Sequence, residues 1–200
     1  SGIYTEPIAF NDRLVWITVE ELLVALEKRA HAAFVNAFRS FRNTHSHYPF
    51  AAAFNTVDGQ CIGGLKFGHP PSQANSCSDA LSLPDWLTAA GWHRYYVYAA
   101  SPRCVEGNNA CNAPGIVLNL ATGGSTDTSN AVLVAPGAPI VTAPFAPARA
   151  GPQLPVSGIA LSNDPRDWLD DSTSATNAGL QFALTQGPLP PLNDRLEVLP

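Results

Sequence analysis

Three groups of residues in this chain have types and spacings that could carry chemistry: the cysteines, a His-Ser-His step and a cluster of aspartates. The cysteines stand at 61, 77, 104 and 111, none of them in a CxxC pair. Structural zinc takes Cys and His at short paired spacings, and dithiol redox chemistry takes CxxC, so neither is indicated. Disulfides or buried free thiols remain. Four cysteines allow three pairings, and the two sequence-local bridges, Cys61–Cys77 and Cys104–Cys111, are preferred. Each would close a short loop rich in Gly, Asn, Ser and Pro with little core of its own, contributing roughly 2–3 kcal/mol by restricting the unfolded chain. Such bridges persist in oxidising surroundings, so the expected location is periplasmic or extracellular.

The other two groups are less specific. His45 and His47, in His-Ser-His-Tyr-Pro-Phe (45–50), could hold a metal, but further ligands are missing nearby, and a solvated helix terminus suits histidine as well. The segment 163–171, Asn-Asp-Pro-Arg-Asp-Trp-Leu-Asp-Asp, lacks the order of an EF-hand calcium loop. A structural cation held by Asp164, Asp167, Asp170 or Asp171 with loop carbonyls stays open beside a solvated helical turn anchored by Trp168. Gly-Gly-Ser-Thr at 123–126 has no following Lys and is too short to cradle phosphate. No GxSxG elbow, HExxH helix or GxGxxG turn occurs. The expectation is a non-enzyme without a cofactor.

The elements that must position these groups begin with the stretch Thr18 to Thr44, which contains neither Pro nor Gly and opens with a capping-box pattern, Thr18 and Glu21. At about 100° per residue, Val19, Leu22, Leu23, Leu26, Ala30, Ala33, Phe34, Ala37 and Phe41 share a stripe roughly 120° wide. Glu21, Lys28, Arg39 and Arg42 lie opposite, and Pro49 is expected to stop the helix. Residues 51–90 read as irregular apart from a short helix within 83–91, ended by Gly91. Residues 93–100 and 115–121 read as an antiparallel hairpin clamped at its turn by Cys104–Cys111. Residues 131–136 add a third strand, whose continuous apolar run suits cover on both faces or a place between helix and loops. Residues 195–199 return as a further strand, and 136–158 are expected to wrap the surface.

The expected fold is therefore α+β: a long N-terminal amphipathic helix packed on a small antiparallel β-sheet, loop-rich and disulfide-stabilised. Residues 1–17 read as an extended lead-in strand, and 18–200 as a single domain with a Pro-rich C-terminal region. Asn-Asp-Arg-Leu occurs at both 11–14 and 193–196 with similar aliphatic continuations, as at the seam of a tandem array in which one module runs into the next. Composition sets further limits. The charged fraction is 14% of 200 residues and the net charge is -5, with no basic stripe, so nucleic acid is a poor partner. The uncharged run 128–148 carries Pro136, Pro139, Pro144 and Pro147, too many lost amide donors for a helix in lipid.

Taken together, several short motifs make the chain resemble the bacterial pilin-like and pseudopilin-like proteins of type IV pili and type II secretion systems. They are Asn-Asp-Arg-Leu leading through Ile17-Thr18 into the long helix, His-Tyr-Pro-Phe at 47–50, and Trp-Leu-Thr-Ala-Ala-Gly-Trp at 86–92 running into Tyr-Tyr-Val-Tyr. Ala-Val-Leu-Val-Ala-Pro-Gly-Ala-Pro at 131–139, Asp-Trp-Leu-Asp at 167–170 and the closing Asn-Asp-Arg-Leu complete the set, which spans most of the chain. The apolar N-terminal segment of that family, with its Gly cleavage site and Glu, is not among these residues, so a membrane contact would run only through a segment upstream. The resemblance implies a non-catalytic minor-pilin or pseudopilin head domain whose partners are other pilin or pseudopilin subunits. A second reading is an extracellular binding module, an adhesin or carbohydrate binder, presenting Trp86, Trp92 and Tyr96 to an extracellular ligand. A third, a secreted hydrolase, has no motif behind it. The pairing is tested directly by intact-mass measurement after thiol blocking: native protein should take up no label, and four labelled cysteines would overturn the oxidising-compartment reading.

Overall fold

A computed structural model describes residues 18–56, 58–109, 111–112, 115–120, 127–135, 181–184 and 195–200. In chain order its elements are α1 (Val19–His45), β1 (Phe67–Gly68), α2 (Asp85–Ala89), a 3₁₀ turn (Trp92–Arg94), β2 (Val97–Ala100), β3 (Cys104–Val105), β4 (Asn108–Asn109), β5 (Ile116–Leu120), β6 (Asp127–Ser129), β7 (Ala131–Ala135), β8 (Gln181–Leu184) and β9 (Arg195–Val198). The lead-in 1–17, the Pro-rich wrap and the acidic segment 163–171 lie outside the described residues.

With no Pro or Gly to interrupt it, α1 runs for 27 residues, about 40 Å at 1.5 Å per residue. Arg42 and His45 occupy its last turn, where exposed carbonyls favour positive charge. Ser46 then takes a left-handed φ of 61° and its amide closes on the Arg42 carbonyl at 2.8 Å. The Tyr48 amide turns away to the Cys104 carbonyl at 2.9 Å, so the helix ends before Pro49, the residue expected to stop it.

The main sheet has the order β1-β2-β7-β9 and is antiparallel throughout. Its two central strands are covered on both sides. Tyr96, Tyr98, Ala100, Ala131 and Leu133 join Ala30, Phe34, Ala37, Phe38 and Phe41 of α1 in one core. Val97, Ala99, Val132 and Val134 point the other way, onto Phe54, Phe67 and Ile116. This two-sided burial explains why β7 is an unbroken apolar run rather than an alternating one. The covered face of α1 is turned relative to the expected stripe: Phe38 is fully buried, stacked on Tyr98 at 4.5 Å, whereas Ala33 is half-buried.

Three expectations about the sheet need correcting. Strand formation starts at Val97, not at residue 93, because Gly91 at φ 72° leads into the 3₁₀ turn. The hairpin between 93–100 and 115–121 does not form; β2 pairs instead with β7, from Val97↔Val134 to Ala100↔Ala131. That pairing puts two wholly apolar strands side by side where both cores can use them. The strand β5 belongs to a second sheet, antiparallel to β6 and parallel to β8, so the architecture is not purely antiparallel. The Cys104–Cys111 bridge closes the small hairpin of β3 and β4 instead, with Gly107 at φ 79° in its turn.

The edge strand β1 is only two residues long, and the 51–54 segment lies hard against it. A Cβ on Gly68 would collide with the Ala52 carbonyl oxygen, while the Ala52 and His69 amides exchange hydrogen bonds at 2.9 and 2.8 Å. His69 is thereby sealed inside, its Nδ1 2.8 Å from the Tyr96 carbonyl and its ring edge-on to Phe54. Burial pushes its pKa down to about 4, against hydrogen bonds to backbone that favour the charged form. The unfolded imidazole, at about 6.5, binds the proton first. Stability should therefore be full above pH 6.5 and decline toward pH 4 by on the order of 3 kcal/mol as the unfolded state gains protons. Urea titrations across that range test this: His69→Gln should flatten the slope by about one proton, and an unchanged slope would contradict it.

Candidate functional site

Burial changes abruptly along α1. From Ala30 onward the residues that face the sheet are buried, with Ala30, Phe34 and Phe38 at 0% exposure. Before it, Leu22 and Val24 are 52% and 40% exposed. Two residues apart on a helix, these side chains point roughly 160° away from each other, so no single flat surface could cover both. In the sequence Val24 and Ala25 place apolar types outside the stripe of Leu22 and Leu26, among the charged Glu20, Glu21, Glu27 and Lys28.

The body of the protein lets go of α1 at three ties. The Tyr96 hydroxyl donates to the Glu27 carbonyl at 3.1 Å. The Arg29 guanidinium lies over the Trp86 ring of α2, 4.7 Å from its centroid. On the sheet side, His31 Nε2 is 3.8 Å from Glu197 Oε2 of β9. Beneath that pair lies a groove of about 200 Å³ bounded by Lys28, His31, Tyr96, Ala135, Leu196 and Glu197.

The aromatic residues expected at a ligand surface have other duties. Tyr96 is 0% exposed and packs on Phe34 at 4.7 Å, so its proposed place on an interaction surface is corrected. Its position just before a two-sided strand drives the ring into the helix core. Trp86 is half-buried and covered by Arg29, and Trp92 is half-buried with its ring edge-on to Tyr95 at 5.8 Å. What sequence reasoning missed was the exposed start of α1. The signal was there, in the apolar residues outside the stripe, Val24 above all.

Both disulfides, Cys61–Cys77 and Cys104–Cys111, are formed, and no described cysteine is free. They sit at the opposite end of α1, where loops are tied to its last turns. Arg42 Nη1 donates to Cys104 Sγ at 3.2 Å and its guanidinium lies over the Tyr48 ring. Burial drives the Tyr48 phenol up to about 12 despite the Arg42 charge. His45 stacks on Phe41 at 4.2 Å and faces Asp79 at 3.5 Å, while the His47 ring stands 5.8 Å away. Among the described residues no group of three or more His, Cys, Asp or Glu is arranged to hold a metal ion. No protein family matches the chain, and no curated protein or solved structure shows significant similarity to it.

One loop tie titrates. Ser78 donates through its amide, at 3.2 Å, and through its hydroxyl to the Glu106 carboxylate. These bonds hold the Glu106 pKa below the usual carboxylate range. The tie is therefore complete above the unfolded glutamate value of about 4.3 and is lost as pH falls through the lower folded value. The Ser78 amide resonance should titrate with a midpoint below about 4.3 and go flat in Glu106→Gln; a midpoint above that value would show the carboxylate to be unpaired in solution.

Proposed function

We propose that this chain is the head domain of a minor pilin- or pseudopilin-like subunit, a non-catalytic part of a type IV pilus or type II secretion assembly. The observation that carries the proposal is the division of α1 into a half packed on its own sheet and a half with apolar side chains bare on opposite sides. The likeness of motifs along the chain and the arrangement of a helix on a small antiparallel sheet support the same reading. The partners are other pilin or pseudopilin subunits, whose helices would surround the first turns of α1. Two disulfides suit a periplasmic or cell-surface location. Among the described residues no helix is long and apolar enough to cross a membrane, so any membrane anchoring runs through another segment.

The magnitudes say how such a surface would work. Covering the exposed part of Leu22 and Val24 is worth on the order of 1 kcal/mol each. A micromolar pair needs about 8 kcal/mol. Isolated heads should therefore stay monomeric, and assembly must come from many such contacts engaged at once along a filament.

The test is a photo-crosslinking amino acid placed at position 22 or 24 in the producing bacterium. Both positions should give adducts with a pilin-type subunit, and exposed Asn36 on the packed half of α1 should not. Leu22→Asp and Val24→Asp should melt within about 0.5 kcal/mol of the parent because both sites are open to water, yet lose the adducts. Equal labelling at position 36, or none at 22 and 24, would sink the assembly reading.

A further inference from the structure

Away from α1, the loop closed by Cys61–Cys77 and the segment 81–94 face each other across a cleft of about 440 Å³. Its lining includes Asp58, Ser72, Gln73, Asp85, Thr88 and Arg94, with the half-buried Leu83 supplying aliphatic surface. The size falls within the span of small-molecule sites, about 300–1,000 Å³. No assembly contact argued above uses any of these residues.

The walls are built by backbone, not by chance approach of side chains. Gly59 holds a left-handed φ of 62°, and its carbonyl accepts from the Ser72 amide at 2.8 Å and the Gln73 amide at 3.1 Å. The Gln73 carbonyl in turn accepts from Cys61 at 2.8 Å, next to the disulfide. A Cβ on Gly59 would collide with Ser72 Oγ and come within 2.8 Å of His93 Cδ2. Only glycine lets the Ser72 hydroxyl and the His93 imidazole converge there. On the far wall the Leu81 amide reaches the Pro71 carbonyl at 3.1 Å, and Thr88 Oγ1 caps the Asp85 carbonyl at 3.1 Å. The backbone that carries Ser72, Gln73 and Thr88 is thus set in place before any ligand arrives, which removes part of the ordering cost from binding.

The chemistry of the lining selects a class of ligand. An anion would meet two carboxylates, Asp58 and Asp85, and a simple cation would meet the Arg94 guanidinium. Carboxylates accept from adjacent hydroxyls, Arg94 and Gln73 donate, and the Ser72 and Thr88 hydroxyls, whose protons go to the Asp58 and Asp85 carbonyls, accept. A neutral polyhydroxylated ring offers donors and acceptors at every hydroxyl, with a C–H face for the half-buried Leu83. We infer that this cleft binds a saccharide, through Asp58, Gln73, Asp85 and Arg94 rather than through the tryptophans. The site is open and small, so the expected Kd is in the millimolar range.

The experiment is an amide chemical-shift titration of the whole 200-residue chain with cellobiose, maltose, lactose and chitobiose, each to millimolar concentration, and with diglycine as the zwitterionic rival. At least one disaccharide should shift resonances of Gln73, Ser82, Thr88 and Arg94 saturably, and diglycine should not. Asp85→Asn and Gln73→Ala, both at exposed positions, should each weaken that binding tenfold or more without changing the melting curve. Leu22→Asp should leave it unaltered, so failure here and failure of the assembly proposal are separate results. The inference is overturned if no disaccharide shifts the cleft, if shifts map only to Trp92 and Tyr95, or if diglycine reproduces them.

Discussion

Buried tyrosine hydroxyls tie the parts of this molecule to one another. Tyr98, at the centre of the main sheet, stacks on Phe38 of α1 and donates its hydroxyl to the Pro49 carbonyl at 2.9 Å. Tyr96 packs on Phe34 and reaches the Glu27 carbonyl, and Tyr48 reaches the Pro200 carbonyl. A buried phenol without a partner costs about 1–3 kcal/mol, so each ring must lie where its hydroxyl meets a backbone acceptor. Each aromatic contact therefore also fixes a distance between two elements. Burial pushes the Tyr98 phenol well above its ordinary value, which keeps it a donor at any physiological pH.

This seam accounts for the unequal ends of the helix. Tyr96, just before β2, holds α1 at the Glu27 carbonyl, and on its N-terminal side Leu22 and Val24 are open to water. At the other end, Arg42, His45 and Ser46 are gathered under the Cys104–Cys111 hairpin and the loop that carries Asp79. One end is tied by several loops, and toward the other Leu22 and Val24 are exposed.

The loops would be a liability without covalent help. Between α1 and β2 the chain makes few regular elements, and the walls of the cleft rest on Gly59, on backbone bonds and on the Cys61–Cys77 bridge. A bridge across a loop of this length contributes about 3 kcal/mol, comparable to burying one large side chain. The proposed saccharide cleft and the proposed assembly surface draw on different supports, the first on the disulfide loop and the second on the aromatic seam. Changes at one should leave the other intact.

Much of the local structure was legible in the residues alone. The long interval free of Pro and Gly marked α1, Gly91 marked the end of α2, and the unbroken apolar run at 131–135 marked a strand covered twice. The disulfide partners followed from the short, core-poor loops between them. Strand pairing did not follow, because hydrogen-bonding edges carry no label: β2 could as well have met β5 until the demand for two apolar faces matched it to β7. Nor did the turn of α1 toward Phe38, which the Tyr98 ring decides, or the interior place of Tyr96. By itself the sequence determined the helices α1 and α2 and the apolar runs that become β2, β5, β7 and β9, since periodicity and breakers act over a few residues. Only the tertiary structure decided which faces meet, where α1 leaves its sheet and which distant side chains line the cleft, because those depend on what lies opposite in space.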